Sequence, residues 1–123
     1  TETREILKVS DETGVPVTAF YNRLFDSDSL TIKRVIKDNE IGTVFRIDSR
    51  FERYRPDLAN QSWREQSSAE EGGGLLLDLQ SHLVSTALDW FGPAQLVSAS
   101  VRSIRGASDD DVVLVLKHES GVD

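Results

Sequence analysis

The stretch GGGLLLDLQSHLVSTALDWFGP, residues 72–93, decides how this chain is read. Gly72, Gly73 and Gly74 break the backbone ahead of it, and the pair Gly92–Pro93 stops it, because a helix ends readily on a glycine and cannot continue through the proline. At 3.6 residues per turn, Leu76, Leu79, Leu83, Ala87 and Trp90 gather on one side. Asp78, His82, Ser85 and Asp89 gather on the other. The spacing predicts an amphipathic helix over 75–91 with its leucine stripe on a core. In a regular helix Asp78 and His82, four apart, are neighbours on one face. They read either as a solvated polar face or as an acid/base pair. In the second reading the carboxylate orients the imidazole and favours its protonated form for proton transfer near neutral pH.

The flanks supply the rest of an α+β pattern. Residues 2–12 read as a helix with Ile6 and Leu7 inward, stopped at Gly14. Val15–Tyr21 reads as a short strand. Asp26–Ser29 offers helix caps for a helix bearing Leu30, Val35 and Ile36, with Asn39 as its stop. From Thr43 the period becomes two: Phe45, Ile47 and Phe51 alternate with charged residues, the mark of a strand with one buried face. Two further strands are expected at about 95–104 and 111–118. Asp109, Asp110 and Asp111 fall in the loop between them, read as a solvated turn. Trp90 reads as packing and His118 as a surface histidine.

Composition narrows the function. The 123 residues carry 14 Lys+Arg against 21 Asp+Glu, a net charge of −7. That argues against a nucleic-acid or anionic-membrane binder, which needs a basic face. With no Cys and two His, thiol nucleophiles and thiolate metal sites are excluded and no metal centre is expected. The longest apolar run, Val112–Leu116, is far short of a membrane span. The opening residues are polar, with no signal peptide, and there is no Met, which fits a piece of a longer protein. The triple glycine is not a dinucleotide fingerprint, since no strand directly precedes it and the G-x-G-x-x-G spacing is absent.

Taken in order, Tyr21-Asn22-Arg23, Glu40-Ile41-Gly42-Thr43-Val44, Trp63-Arg64, Gly72-Gly73-Gly74-Leu75-Leu76-Leu77-Asp78, Ser81-His82-Leu83 and Trp90-Phe91-Gly92 resemble the glucose–fructose oxidoreductase/inositol dehydrogenase (Gfo/Idh/MocA) family. The resemblance implies a C-terminal α+β domain, an antiparallel or mixed sheet packed with helices, here truncated. Residues 1–25 would be the tail of a Rossmann domain, its last helix and strand, and 26–123 part of the substrate and oligomerisation domain. It implies a cytoplasmic oxidoreductase of a sugar or polyol that uses NAD or NADP, with the catalytic lysine upstream of Thr1. The chain alone would be inactive and bind no cofactor. Asp78 and His82 match the family's catalytic pair beside the nicotinamide. Trp63, Arg64 and Ser85 are candidate substrate contacts, although Ser85 stands where the family often has Asp, and Gln80 where it usually has Gly. A homodimer or larger assembly through the sheet is expected. The alternatives are a nucleotide-sensing regulator of the same family and a plain oligomerisation module.

Overall fold

Helical propensity and caps place the first elements. The computed structural model describes residues 2–57 and 62–123. Helix α1, Glu2–Thr13, ends where the Gly14 amide bonds the Ser10 carbonyl at a φ of +70°. Helix α2, Ser27–Lys37, follows a short 3₁₀ turn, Asn22–Phe25, in which Arg23 pairs with Asp26 at 2.8 Å. Asn39 ends α2 in the left-handed region at φ +57°, a position a short amide side chain tolerates. A one-turn helix α3, Trp63–Gln66, and a 3₁₀ turn, Ala69–Glu71, lead to the glycines. A π-helical turn, Leu76–Gln80, then runs directly into helix α4, Ser81–Phe91.

The sheet is one antiparallel hairpin. Strand β1, Ala94–Arg102, pairs with β2, Asp111–His118, in a register running from Ala94 opposite His118 to Arg102 opposite Asp111, with a bulge at Val97. On β2, Val112, Leu114 and Leu116 are partly covered, whereas Val113 and Val115 between them are exposed. Leu114 and Leu116 share a cavity of about 470 Å³ with Leu83, Ala87 and Trp90 of α4 and with residues 46–49. The leucine stripe thus looks onto the sheet, as its periodicity requires, across a space that is not filled.

Several sequence expectations change here. Val15–Tyr21, expected as the last strand of residues 1–25, joins no ladder, and neither does 43–52. Strand-like composition makes a strand only where an edge is available to pair with. The 43–52 segment bonds Asp123, whose amide donates to the Phe45 carbonyl and whose carbonyl accepts from the Ile47 amide. Phe45, expected inside, is 76% exposed, and Ile6 and Leu7 are about half exposed. His118, expected at the surface, is only 3% exposed: its Nδ1 lies 2.9 Å from the Gly92 carbonyl and its ring stands edge-on to Phe91. It ties the end of α4 to the end of β2.

Among the described residues, Phe91 and Val122 alone form the buried apolar core. The accessible surface is 9418 Å², against about 6,600 Å² for a compact monomer of this mass. No helix of the described residues is long and apolar enough to cross a membrane.

Candidate functional site around Asp78 and His82

A helix start needs acceptors for its first amides, and residues 72–74 have no side chain to offer one. The acceptors come from the hairpin tip. Asp109 takes the Leu75 amide on its carbonyl at 3.0 Å and the Leu76 amide on its carboxylate Oδ2 at 2.7 Å. The glycines make this approach possible: a Cβ on Gly74 would overlap the Asp109 carboxylate, and one on Gly73 the Ser67 carbonyl. The Gly74 amide bonds the Arg64 carbonyl at 2.8 Å, and the Ser108 hydroxyl donates to the Ser67 carbonyl. Three pieces of chain therefore meet at the glycines: the α3 segment, the hairpin tip and the start of the site helix.

The acidic run is consequently not a solvated turn. Asp110 accepts from the Ile104 and Arg105 amides at 2.7 and 2.9 Å and pairs with the Arg105 guanidinium. Burial pushes its pKa up, but these amides and the guanidinium outweigh burial and hold it below the ordinary value. Arg105 also reaches Glu65 and the Arg55 carbonyl, fastening the tip to α3.

Asp78 lies in the π-helical turn, and its Oδ1 accepts from Arg64 Nε at 3.0 Å. It makes no hydrogen bond to His82. The carboxylate is taken instead by Arg64 from α3, and the turn, with its i→i+5 bonds, departs from the regular α period at Asp78. His82 sits edge-on to Tyr21, with ring centroids 6.1 Å apart, and its buried Nδ1 has no hydrogen-bond partner. Trp63 lies beneath Arg64, whose guanidinium carbon is 4.7 Å from the indole centroid. The structure thus joins Trp63, Arg64 and Asp78 in one contact chain. The Ser85 hydroxyl bonds the His82 carbonyl of its own helix at 2.9 Å. Tyr21 and Asp109 join the site, although the sequence reading takes Tyr21 as a strand end and Asp109 as part of a solvated turn. The signal for Asp109 was available: a helix that opens on glycine with no Ser, Thr, Asp or Asn at its cap must borrow an acceptor.

The glycine turn is unsuited to a dinucleotide's phosphates. It presents the Asp109 carboxylate and the Ser67 carbonyl, both acceptors, where a phosphate needs donors.

This helix, its glycine entry and the following hairpin define a domain class. Residues 29–123 match the GFO/IDH/MocA C-terminal domain, and the chain belongs to that oxidoreductase family. It is 32% identical over 111 residues to the uncharacterized oxidoreductase YdgJ of Escherichia coli, covering 89% of this chain and 31% of the relative. It is 33% identical over 104 residues to scyllo-inositol 2-dehydrogenase (NADP(+)) IolW of Bacillus subtilis, covering 85% and 28%. Two solved structures share its fold, each with a TM-score of 0.74. One, assigned as the oxidoreductase yvaA of Bacillus subtilis, is 29% identical and covers 92% of this chain and 30% of that one. The other, assigned as an oxidoreductase of Klebsiella pneumoniae, is 30% identical and covers 97% and 31%. The chain spans under a third of the length of the curated relatives it matches.

Proposed function

We propose that this chain is the substrate-side domain of an NAD(P)-dependent oxidoreductase acting on a secondary alcohol of a sugar or polyol. The observation that carries the reading is the half-buried His82 imidazole, held edge-on to Tyr21 on the helical run that also bears Asp78, whose carboxylate Arg64 holds. Support for the substrate class comes from the inositol dehydrogenase among the relatives.

Bound nicotinamide would supply the hydride acceptor. The work of this chain is the other half of the oxidation. His82 holds the reacting hydroxyl and takes or relays its proton, as an imidazole does near neutral pH. Asp78, held in place by Arg64, receives a neighbouring hydroxyl. Residues 1–25 fall to the cofactor domain in this proposal, and 26–123 to the substrate domain. Neither the regulator nor the oligomerisation module requires an imidazole and a positioned carboxylate together there.

The test is made in the oxidoreductase that carries this domain, with NAD⁺ and NADP⁺ against a panel of inositols and hexoses. His82→Ala is expected to lower turnover by roughly 10²–10⁴, the usual worth of a placed acid/base group. Turnover equal to the parent in both His82→Ala and Asp78→Asn would defeat the reading.

A further inference from the structure

Asp109 lies in the loop between the strands, 33 positions from the amide its side chain binds. Its two acceptor groups serve two successive amides, Leu75 and Leu76, immediately ahead of the turn that bears Asp78. The helix supplies no cap of its own, and Gly74 is shaped to admit this one carboxylate. We propose that Asp109 is the positioning residue of the Asp78–His82 site: it fixes where the π-helical turn begins, and so where both side chains are presented. This rests on the functional reading above.

The geometry gives Asp109 more than a generic capping role. A π turn leaves the start of its helix free to shift by one residue, because one more residue is accommodated in the turn than in an α-helix. Such a shift would re-aim Asp78 away from Arg64 and turn His82 away from Tyr21. The Asp109 carboxylate also sits at the N-terminal end of the run formed by the π turn and α4, where a negative charge is favoured. The tip that carries it is fastened independently by Asp110 to its own loop and by Arg105 to Glu65. The hairpin, not the helix, sets the register.

Two readouts separate this proposal from the functional one. The first is amide hydrogen exchange of Leu75–Leu79 in the oxidoreductase that carries this domain. Asp109→Ala is expected to speed exchange at Leu76 about ten-fold or more, in line with the loss of a cap. Asp109→Asn, which keeps an acceptor oxygen, should restore most of the protection. Asp111→Asn, whose parent side chain pairs with Arg102 on the strands, should leave exchange as it was. The second readout is kinetic, in the oxidoreductase that carries the domain. Asp109→Ala should lower kcat by about ten-fold or more through misplacement, with KM changed far less, and Asp109→Asn should recover it. Unchanged exchange in Asp109→Ala overturns the proposal, and so does faster exchange with unchanged kcat, which would reduce Asp109 to a structural cap. If His82→Ala and Asp78→Asn are as active as the parent while exchange responds to Asp109→Ala, the functional reading is what fails, and the catalytic role of Asp109 fails with it.

Discussion

Arg64 donates its Nε hydrogen to Asp78 Oδ1 at 3.0 Å, bridging 14 positions of chain. The bond decides which neighbour holds the candidate carboxylate: a guanidinium from α3, not the imidazole one turn along. Both partners are partly exposed, so water screens the pair.

Removing Arg64 should therefore touch activity more than stability. Arg64→Ala is expected to cost about 1 kcal/mol or less in unfolding, while turnover falls because Asp78 loses its orientation. Arg64→Lys keeps the charge but not the flat group stacked on Trp63, and should recover only part of the rate. Equal rates in parent and Arg64→Ala, measured beside a denaturant titration, would show that the pair is ornamental to the site.

Gly74 should tolerate no side chain. At φ +96° a non-glycine residue is strained, by about 1–3 kcal/mol, and its Cβ would also overlap Asp109. Gly74→Ala is expected to lower stability by about 2 kcal/mol or more. In an Asp109→Ala background the overlap disappears, so the same substitution should cost less. A double-mutant cycle measures that coupling, and strict additivity would mean the carboxylate does not sit against Gly74.

Asp110 predicts the acid limb of the stability curve. Its pKa is lowered in the folded chain, so the folded state releases the proton more readily than the unfolded one. Its stabilisation is complete above the ordinary carboxylate value, about 3.9, and is lost as pH falls through the lowered folded value. Asp110→Asn is expected to flatten the fall in stability below about pH 4. An acid limb identical to the parent's in urea titrations across pH 2–6 would assign that fall to other carboxylates.

Assembly is expected through the hairpin. Val113 and Val115 are exposed on one face of the hairpin, opposite Ser100 and Ser98 of β1, and an uncovered apolar face marks a contact surface. Light scattering at micromolar concentration should give a dimer or larger, and Val113→Lys should return a monomer. A soluble parent monomer would contradict this.

Much of the architecture was legible because it is local. The glycine entry, the helix through Trp90 and its Gly92 stop, and both strands of the hairpin follow from periodicity and chain-breaking residues that act within a few positions. The errors share a cause. Val15–Tyr21 and 43–52 have the composition of strands, but pairing is decided by what lies beside them. His118 is expected at the surface as a polar residue near a strand end, yet it is in phase with Leu114 and Leu116 and is buried by Phe91 and the Gly92 carbonyl. At the site, the residue types were readable and their partners were not. A π turn leaves no periodic trace, so Asp78 and His82 looked paired, and Asp109 looked solvated because its helix is 33 positions away.

The uncovered surface has a calorimetric meaning. A chain of this mass that keeps 9418 Å² accessible removes about a fifth less area from water than a compact one would. The heat-capacity step on unfolding scales with that area, about 12–15 cal/mol/K per residue for compact domains. Its melting should be shallow and its denaturant slope low, and both should steepen when a covering surface is added.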